Sequence, residues 1–302
     1  MLKKLIKALK NRSLWNSICI RLRLVLRISN KNVYAEYLRC REYSYLERKY
    51  REIIQKGANE NLKHEKCDII WICWLQGLDS APELVKACVH SVKTKLWGKN
   101  VKIITEKNFD NYVELPDYII SKYKKGIIPP AQFTDILRTA LLCRYGGGWI
   151  DATVFCSCEE LPDYIKDSSL FVYKQVDLLN RDYNPVALSN WLIFSETNHP
   201  ILLLTLNLLM SYWKSHNRLS HYFIYHLFFT MATRRYPLLW ASVPTYDNRP
   251  PHILQKELCS TFSERRWEQL KRQSDFHKLN RRIFSSDSKS FYSYIVNTIK
   301  DV

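Results

Sequence analysis

The chain has 302 residues, 46% hydrophobic and 13% aromatic, which suits one sizeable core with helical additions and excludes a disordered or fibrous class. Its formal net charge of +17 asks for an anionic neighbour: nucleic acid, a phospholipid surface or a diphosphate. Nine cysteines, an odd count without a Cys-x-x-Cys pair, argue against a disulfide framework or a structural zinc and for a reducing compartment.

The basic residues are unevenly spread. Lys3, Lys4, Lys7, Lys10, Arg12, Arg21, Arg23, Arg27 and Lys31 all precede the first acid, Glu36. Between them Leu14, Trp15, Ile18, Cys19, Leu22, Val25 and Leu26 recur at helical spacing, which predicts a basic amphipathic helix lying on an anionic leaflet. A helix packed on the domain and a basic arm for nucleic acid fit the same pattern. Apolar runs such as Ile201 to Trp213 fall short of the roughly 20 residues that cross a bilayer. Arginines interrupt the would-be apolar core of a signal peptide, and no small-residue cleavage site follows. Residues 36–66, rich in charge and tyrosine, continue as helix, with an exit loop from Gly57 to His64.

The run Cys67 to Leu75 is nearly all apolar and ends in Gln76-Gly77, as a buried parallel strand does. Ser80-Ala81-Pro82-Glu83 reads as a capping box opening a helix to about Lys95, and Val101 to Thr105 is the next strand. Together they form one strand-helix-strand unit of an α/β sheet, without the Gly-x-Gly-x-x-Gly of a dinucleotide loop. Ligands bind at the carboxyl ends of such strands, where Trp71 and Trp74 offer indole platforms for a nucleobase. Trp71 fits a core position equally well. Glu114 to Tyr123 is a further helix, and Ile127-Ile128-Pro129-Pro130 a stiff lead-in to the next.

The organising stretch is Gln132 to Phe155. Ile136, Leu137, Ala140, Leu141 and Leu142 mark a helix, Gly146-Gly147-Gly148 stops it, and Trp149 to Phe155 has strand character. Three of the chain's 7 glycines stand here, and none follows Gly148. Asp151 would lie near the end of a buried strand, where a carboxylate is costly unless something binds it. Asp135 and Arg138, three residues apart, share a helix face and are expected to point into the same cavity. Thr153, two residues past Asp151, is expected on its strand face.

This pattern (Asp, Arg three residues on, an apolar helix, Gly-Gly-x-aromatic-hydrophobic-Asp-x-Thr) resembles sugar-nucleotide glycosyltransferases of the GT-A fold. It is most similar to the family 32 and capsular-polysaccharide-synthesis group, with the Och1-type mannosyltransferases and, more remotely, the glucosylating clostridial toxins. The resemblance covers roughly residues 67–230.

It implies an α/β, Rossmann-like mixed sheet flanked by helices, with Asp135, Arg138 and Asp151 as catalytic residues. It further implies donor contacts from Trp71, Trp74, Gly77, Gly147, Trp149, Asn190 and Trp191. A divalent metal, Mn²⁺ or Mg²⁺, is expected on Asp151 and Thr153, with His221 or His226 as further candidates. Many relatives carry a second Asp where Thr153 stands, so either the metal is held loosely or basic side chains take part of its role. The two histidines are five residues apart, roughly 140° on a helix, and cannot easily face one cavity.

Leu170 to Tyr173 and Asn190 to Phe194 read as further strands, Asp177 to Pro185 as a loop over the cleft, and 201–213 and 222–233 as apolar helices. Helices are also expected near 263–273 and 288–299. The organisation expected is a basic helical segment at 1–66, a catalytic domain at 67–243 and a helical extension packed on it at 244–302.

The expected activity is retaining transfer of a sugar from a UDP- or GDP-sugar to a glycan or lipid-linked acceptor in surface-polysaccharide synthesis. It would take place at the inner face of the cell membrane, with residues 1–30 on anionic lipid and no nucleic acid involved. A phosphosugar transferase of capsule assembly and a basic nucleic-acid-binding protein are the alternatives.

Overall fold

The computed structural model describes residues 31–96, 98–175 and 185–299, together with residues 18 and 22. The basic amphipathic helix expected before residue 31 and most of the loop expected at Asp177 to Pro185 lie outside the described residues.

Helices α1 (Lys31–Lys49) and α2 (Arg51–Lys56) lead into strand β1 (Ile69–Cys73), helix α3 (Glu83–Lys95) and strand β2 (Asn100–Ile104). Helices α4 (Asp117–Lys124) and α5 (Pro130–Tyr145) precede strands β3 (Gly147–Ile150) and β4 (Val154–Cys156). After the short α6 (Asp163–Lys166) come β5 (Leu170–Lys174) and β6 (Leu188–Ser195), then helices α7 (Pro200–Ser215), α8 (Ile224–Arg235) and α9 (Pro237–Ser242). The remainder holds α10 (Ile253–Glu257), α11 (Glu264–Gln273), β7 (Phe276–Lys278) and α12 (Phe291–Asn297).

The main sheet runs β2-β1-β3-β6-β5. β1 is parallel to β2 and β3, whereas β6 is antiparallel to both β3 and β5. This is the mixed, helix-flanked α/β architecture that the sequence implies. Strand order turns back at β1, with β2 on one side and β3 on the other, so a crevice opens beyond the carboxyl ends of β1 and β3.

Alternation along β1 divides two cores. Trp71 and Cys73 join Trp149 under α5, α7 and α8, while Ile70 and Ile72 face α3. α3 is buried on two sides: Val85, Val89 and Val92 meet the sheet, and Leu84, Ala87 and Cys88 meet a third cluster containing Phe155, Trp267 and Phe291. Each buried Val, Leu, Ile or Phe among them contributes about 1.5–3 kcal/mol through removal from water.

Two local expectations need correction. Ser80 does not cap α3; Pro82 is its N-cap and no side chain caps it, because the helix starts too far beyond Ser80. The strand expected from Trp149 to Phe155 is broken by a turn at Asp151 to Thr153. β3 ends in the main sheet, and β4 pairs antiparallel with β7 in a separate two-stranded sheet. The C-terminal extension therefore supplies a strand next to the organising stretch, which the sequence did not suggest.

Candidate active site

Helix α5 opens after Pro129 with Pro130 in its first turn and stops at Gly146, where φ is 65° and the amide donates to Leu142 O at 2.9 Å. Phe133, Ile136, Leu137 and Leu141 are fully buried, and on the same helix Asp135 and Arg138 are buried to 5% exposure. Gly147 has φ of 83°, and a Cβ there would lie 2.2 Å from Ile69 O, so only glycine lets β3 approach β1.

Asp151 follows the last residue of β3. Its Oδ1 accepts from Trp149 Nε1 at 2.9 Å and lies 3.4 Å from Arg138 Nη2. Its Oδ2 accepts from Lys278 Nζ at 2.7 Å. The same ammonium donates to Thr153 Oγ1 at 2.7 Å. Thr153 is thus beside Asp151, but through a turn and a shared lysine and not through a common strand face.

Arg138 lies between two acids. Its Nη2 is 3.5 Å from Asp135 Oδ1, its Nη1 donates to Asn190 O, and its guanidinium stands 4.8 Å over the Trp149 ring. Asn190 Nδ2 donates to Asp135 Oδ1 at 2.9 Å.

Electrostatics separate the two acids. Burial raises the pKa of Asp135 to about 7, helped by the charge of Asp151 and opposed by Arg138 and Asn190. Burial also acts to raise that of Asp151, but Lys278 and Arg138 together outweigh it and hold the carboxyl below its ordinary value.

These groups border a cavity of about 380 Å³, a volume suited to a small ligand. Trp74, Asp135, Arg138, Trp149, Asp151, Thr153, Asn190 and His226 line it, with Gln132, Tyr222 and Arg281. Gln132 Oε1, Arg138 Nε and His226 Nδ1 are buried without a hydrogen-bond partner, as expected where a polar ligand completes the set. Burial, followed by the charges of Arg138 and Arg39, pushes the His226 pKa down to about 3, so its imidazole is neutral.

Five expected site residues do not line this cavity. Trp71 is core: it is 1% exposed and donates to Gly146 O at 3.0 Å. Trp191 is stacked on Tyr173 and donates to Asn248 Oδ1. Gly147 serves strand packing as described, and Gly77 lies one residue past the lining residue Gln76. His221 Nδ1 accepts from the Phe223 amide at 3.0 Å, and burial lowers its pKa to about 4. Residues missed from the sequence are Lys278, from β7, Gln132 and Tyr222 on the cavity wall, and Arg281, whose guanidinium lies 5.3 Å over the Trp74 ring.

A divalent cation does not fit this donor set. Both oxygens of Asp151 are engaged, Thr153 offers a neutral hydroxyl, and an ammonium bridges the two. Among the described residues no group of three or more His, Cys, Asp or Glu could hold a metal ion. An ammonium about 4 Å from a dication would be repelled by roughly 8 kcal/mol at an effective dielectric constant of about 20.

A mixed α/β sheet with a cavity beyond the ends of its parallel strands defines an α/β protein with a candidate ligand site there. More particularly, the chain matches the family model of the capsular polysaccharide synthesis protein over residues 23–296, and it belongs to that family. Among solved structures it is similar to one titled "PaToxG Glycosyltransferase", at 16% identity and a TM-score of 0.41 over 79% of this chain and 95% of that one. No curated protein matches it.

Proposed function

We propose that this protein is a glycosyltransferase of the GT-A type that transfers a sugar from a nucleoside-diphosphate donor to a glycan or lipid-linked acceptor in surface-polysaccharide synthesis. The observation that carries this reading is Asp151, held by Arg138 and Lys278 at the mouth of the crevice between β1 and β3. Family membership supports the same setting.

Two cations, Arg138 and Arg281, line the cavity, and Lys278 joins them through Asp151 and Thr153, against two carboxylates, one of which titrates near neutrality. That balance suits a diphosphate. In the reaction the bond between the anomeric carbon and the β-phosphate oxygen breaks, and its electron pair stays with the diphosphate. The acceptor hydroxyl oxygen bonds the anomeric carbon, and its proton passes to the departing phosphate, which gives retention when attack comes from the same face.

Asp135, Asn190 and the unpaired atoms of Gln132 and His226 orient the sugar hydroxyls, and Trp74 stacks on the base. Such positioning contributes several kcal/mol. Residues 1–30 hold the protein on anionic lipid, near a lipid-linked acceptor; no described helix is long and apolar enough to cross a membrane.

A panel of UDP- and GDP-sugars, incubated with wild type and Asp151→Ala, tests the proposal. Sugar release from one donor by wild type alone supports it; no turnover of any donor, or equal turnover by the variant, refutes it.

A further inference from the structure

We propose that Lys278, assisted by Arg281, supplies the positive charge that neutralises the donor's diphosphate, in the position where Asp151 and Thr153 would otherwise hold a divalent cation. The inference rests on the reading of this site as one for a nucleoside diphosphate.

Lys278 is not a surface lysine that drifted onto an acid. Its backbone is fixed by the β4–β7 pairing, which sets Val154 opposite Lys278, and the next amide, Leu279, donates to Thr153 O at 2.8 Å. Phe276, His277 and Leu279 on either side are buried, so the strand cannot shift without opening the core. The ammonium reaches the far side of the same turn, and Asp151 and Thr153 take two of its three N–H groups. The third meets no acceptor among the described residues. It thus bridges the carboxylate and hydroxyl as a metal would, with a fixed single charge.

Arg281 completes the arrangement. It lines the cavity, has its guanidinium 5.3 Å over the Trp74 ring, and forms no ion pair among the described residues. A guanidinium in that position presents a fork of donors that matches phosphate oxygens, next to an indole that takes the base. Both cations come from one short segment, so β7 and the turn after it bring positive charge to a cavity otherwise lined by α5, by residues at the ends of β1 and β3, by Asn190 of β6 and by Tyr222 and His226.

The test is binding of UDP and of GDP to the full chain by calorimetry, in EDTA and separately in Mn²⁺. Wild type should bind one of them in EDTA. Lys278→Met should weaken that binding about tenfold to hundredfold, the loss of a charge-assisted hydrogen bond. Arg281→Ala, an exposed position whose change leaves the fold intact, should weaken it about tenfold, and Lys278→Arg should retain most of it.

Binding that Lys278→Met and Arg281→Ala leave unaffected, or binding only in Mn²⁺, overturns this role of the two cations and leaves the diphosphate site standing. Binding of neither nucleotide under either condition overturns both.

Discussion

Arg138 Nη2 lies 3.4 Å from Asp151 Oδ1, so a residue in the middle of a buried helix grips the acid just past a strand end. The contact aims the carboxylate's other oxygen at Lys278 and ties α5 to β3 across the cavity. Arg138 and Lys278 each answer to more than one acceptor, and Asp135 and Asp151 each to more than one donor.

Replacement of Asp151 by Asn keeps the shape and removes the charge. Turnover of the donor should fall about 100-fold or more, the scale of a lost electrostatic contact at a reacting group. Circular dichroism should show a folded protein; near-wild-type turnover would remove Asp151 from the chemistry.

Arg138→Lys keeps a charge and loses the fork. One ammonium cannot reach Asp135, Asp151 and the Asn190 carbonyl together, so two buried acids lose part of their compensation. The expected cost is about 3 kcal/mol in urea unfolding, with turnover near zero; an unchanged midpoint would show that the guanidinium is dispensable.

Asp135 makes stability depend on pH. Because its folded pKa is raised to about 7, the folded chain keeps a proton that the unfolded chain releases between roughly pH 4 and pH 7. Its effect therefore lowers stability as pH rises through that window. Asp151, whose carboxyl is depressed, acts oppositely and only at lower pH, where its contribution is lost as it becomes protonated. Melting temperature followed from pH 5 to 8 should fall more steeply in wild type than in Asp135→Asn. Parallel curves would contradict the assignment.

Gly147→Ala places a methyl 2.2 Å from Ile69 O at a φ of 83°. A loss of at least about 2 kcal/mol is expected in chemical unfolding. Unchanged stability would mean that β3 can move away from β1.

The centre of the site was readable because it is local. A helical period, a glycine stop and a strand with one acid all fall within Gln132 to Phe155, and the structure brings Asp135, Arg138 and Asp151 to one cavity as expected. Trp71 was not readable, since an apolar strand buried on both faces gives no sign of which face meets the ligand. Thr153 was placed next to Asp151 for the wrong reason, the turn between β3 and β4 being invisible in a run of strand-forming residues. Lys278 was missed because β7 has only three residues and meets Asp151 across 127 positions. Phe276-His277-Lys278-Leu279 shows no apolar-polar alternation, so nothing local marks the strand or assigns it a partner.

The most direct test of sugar transfer from a diphosphate donor is the identity of the released nucleotide, read by chromatography of quenched reactions with the donor that turns over. Release of the nucleoside diphosphate, one per sugar transferred and absent with Asp151→Ala, is the expected result. Release of the nucleoside monophosphate instead would contradict it and make the protein a phosphosugar transferase.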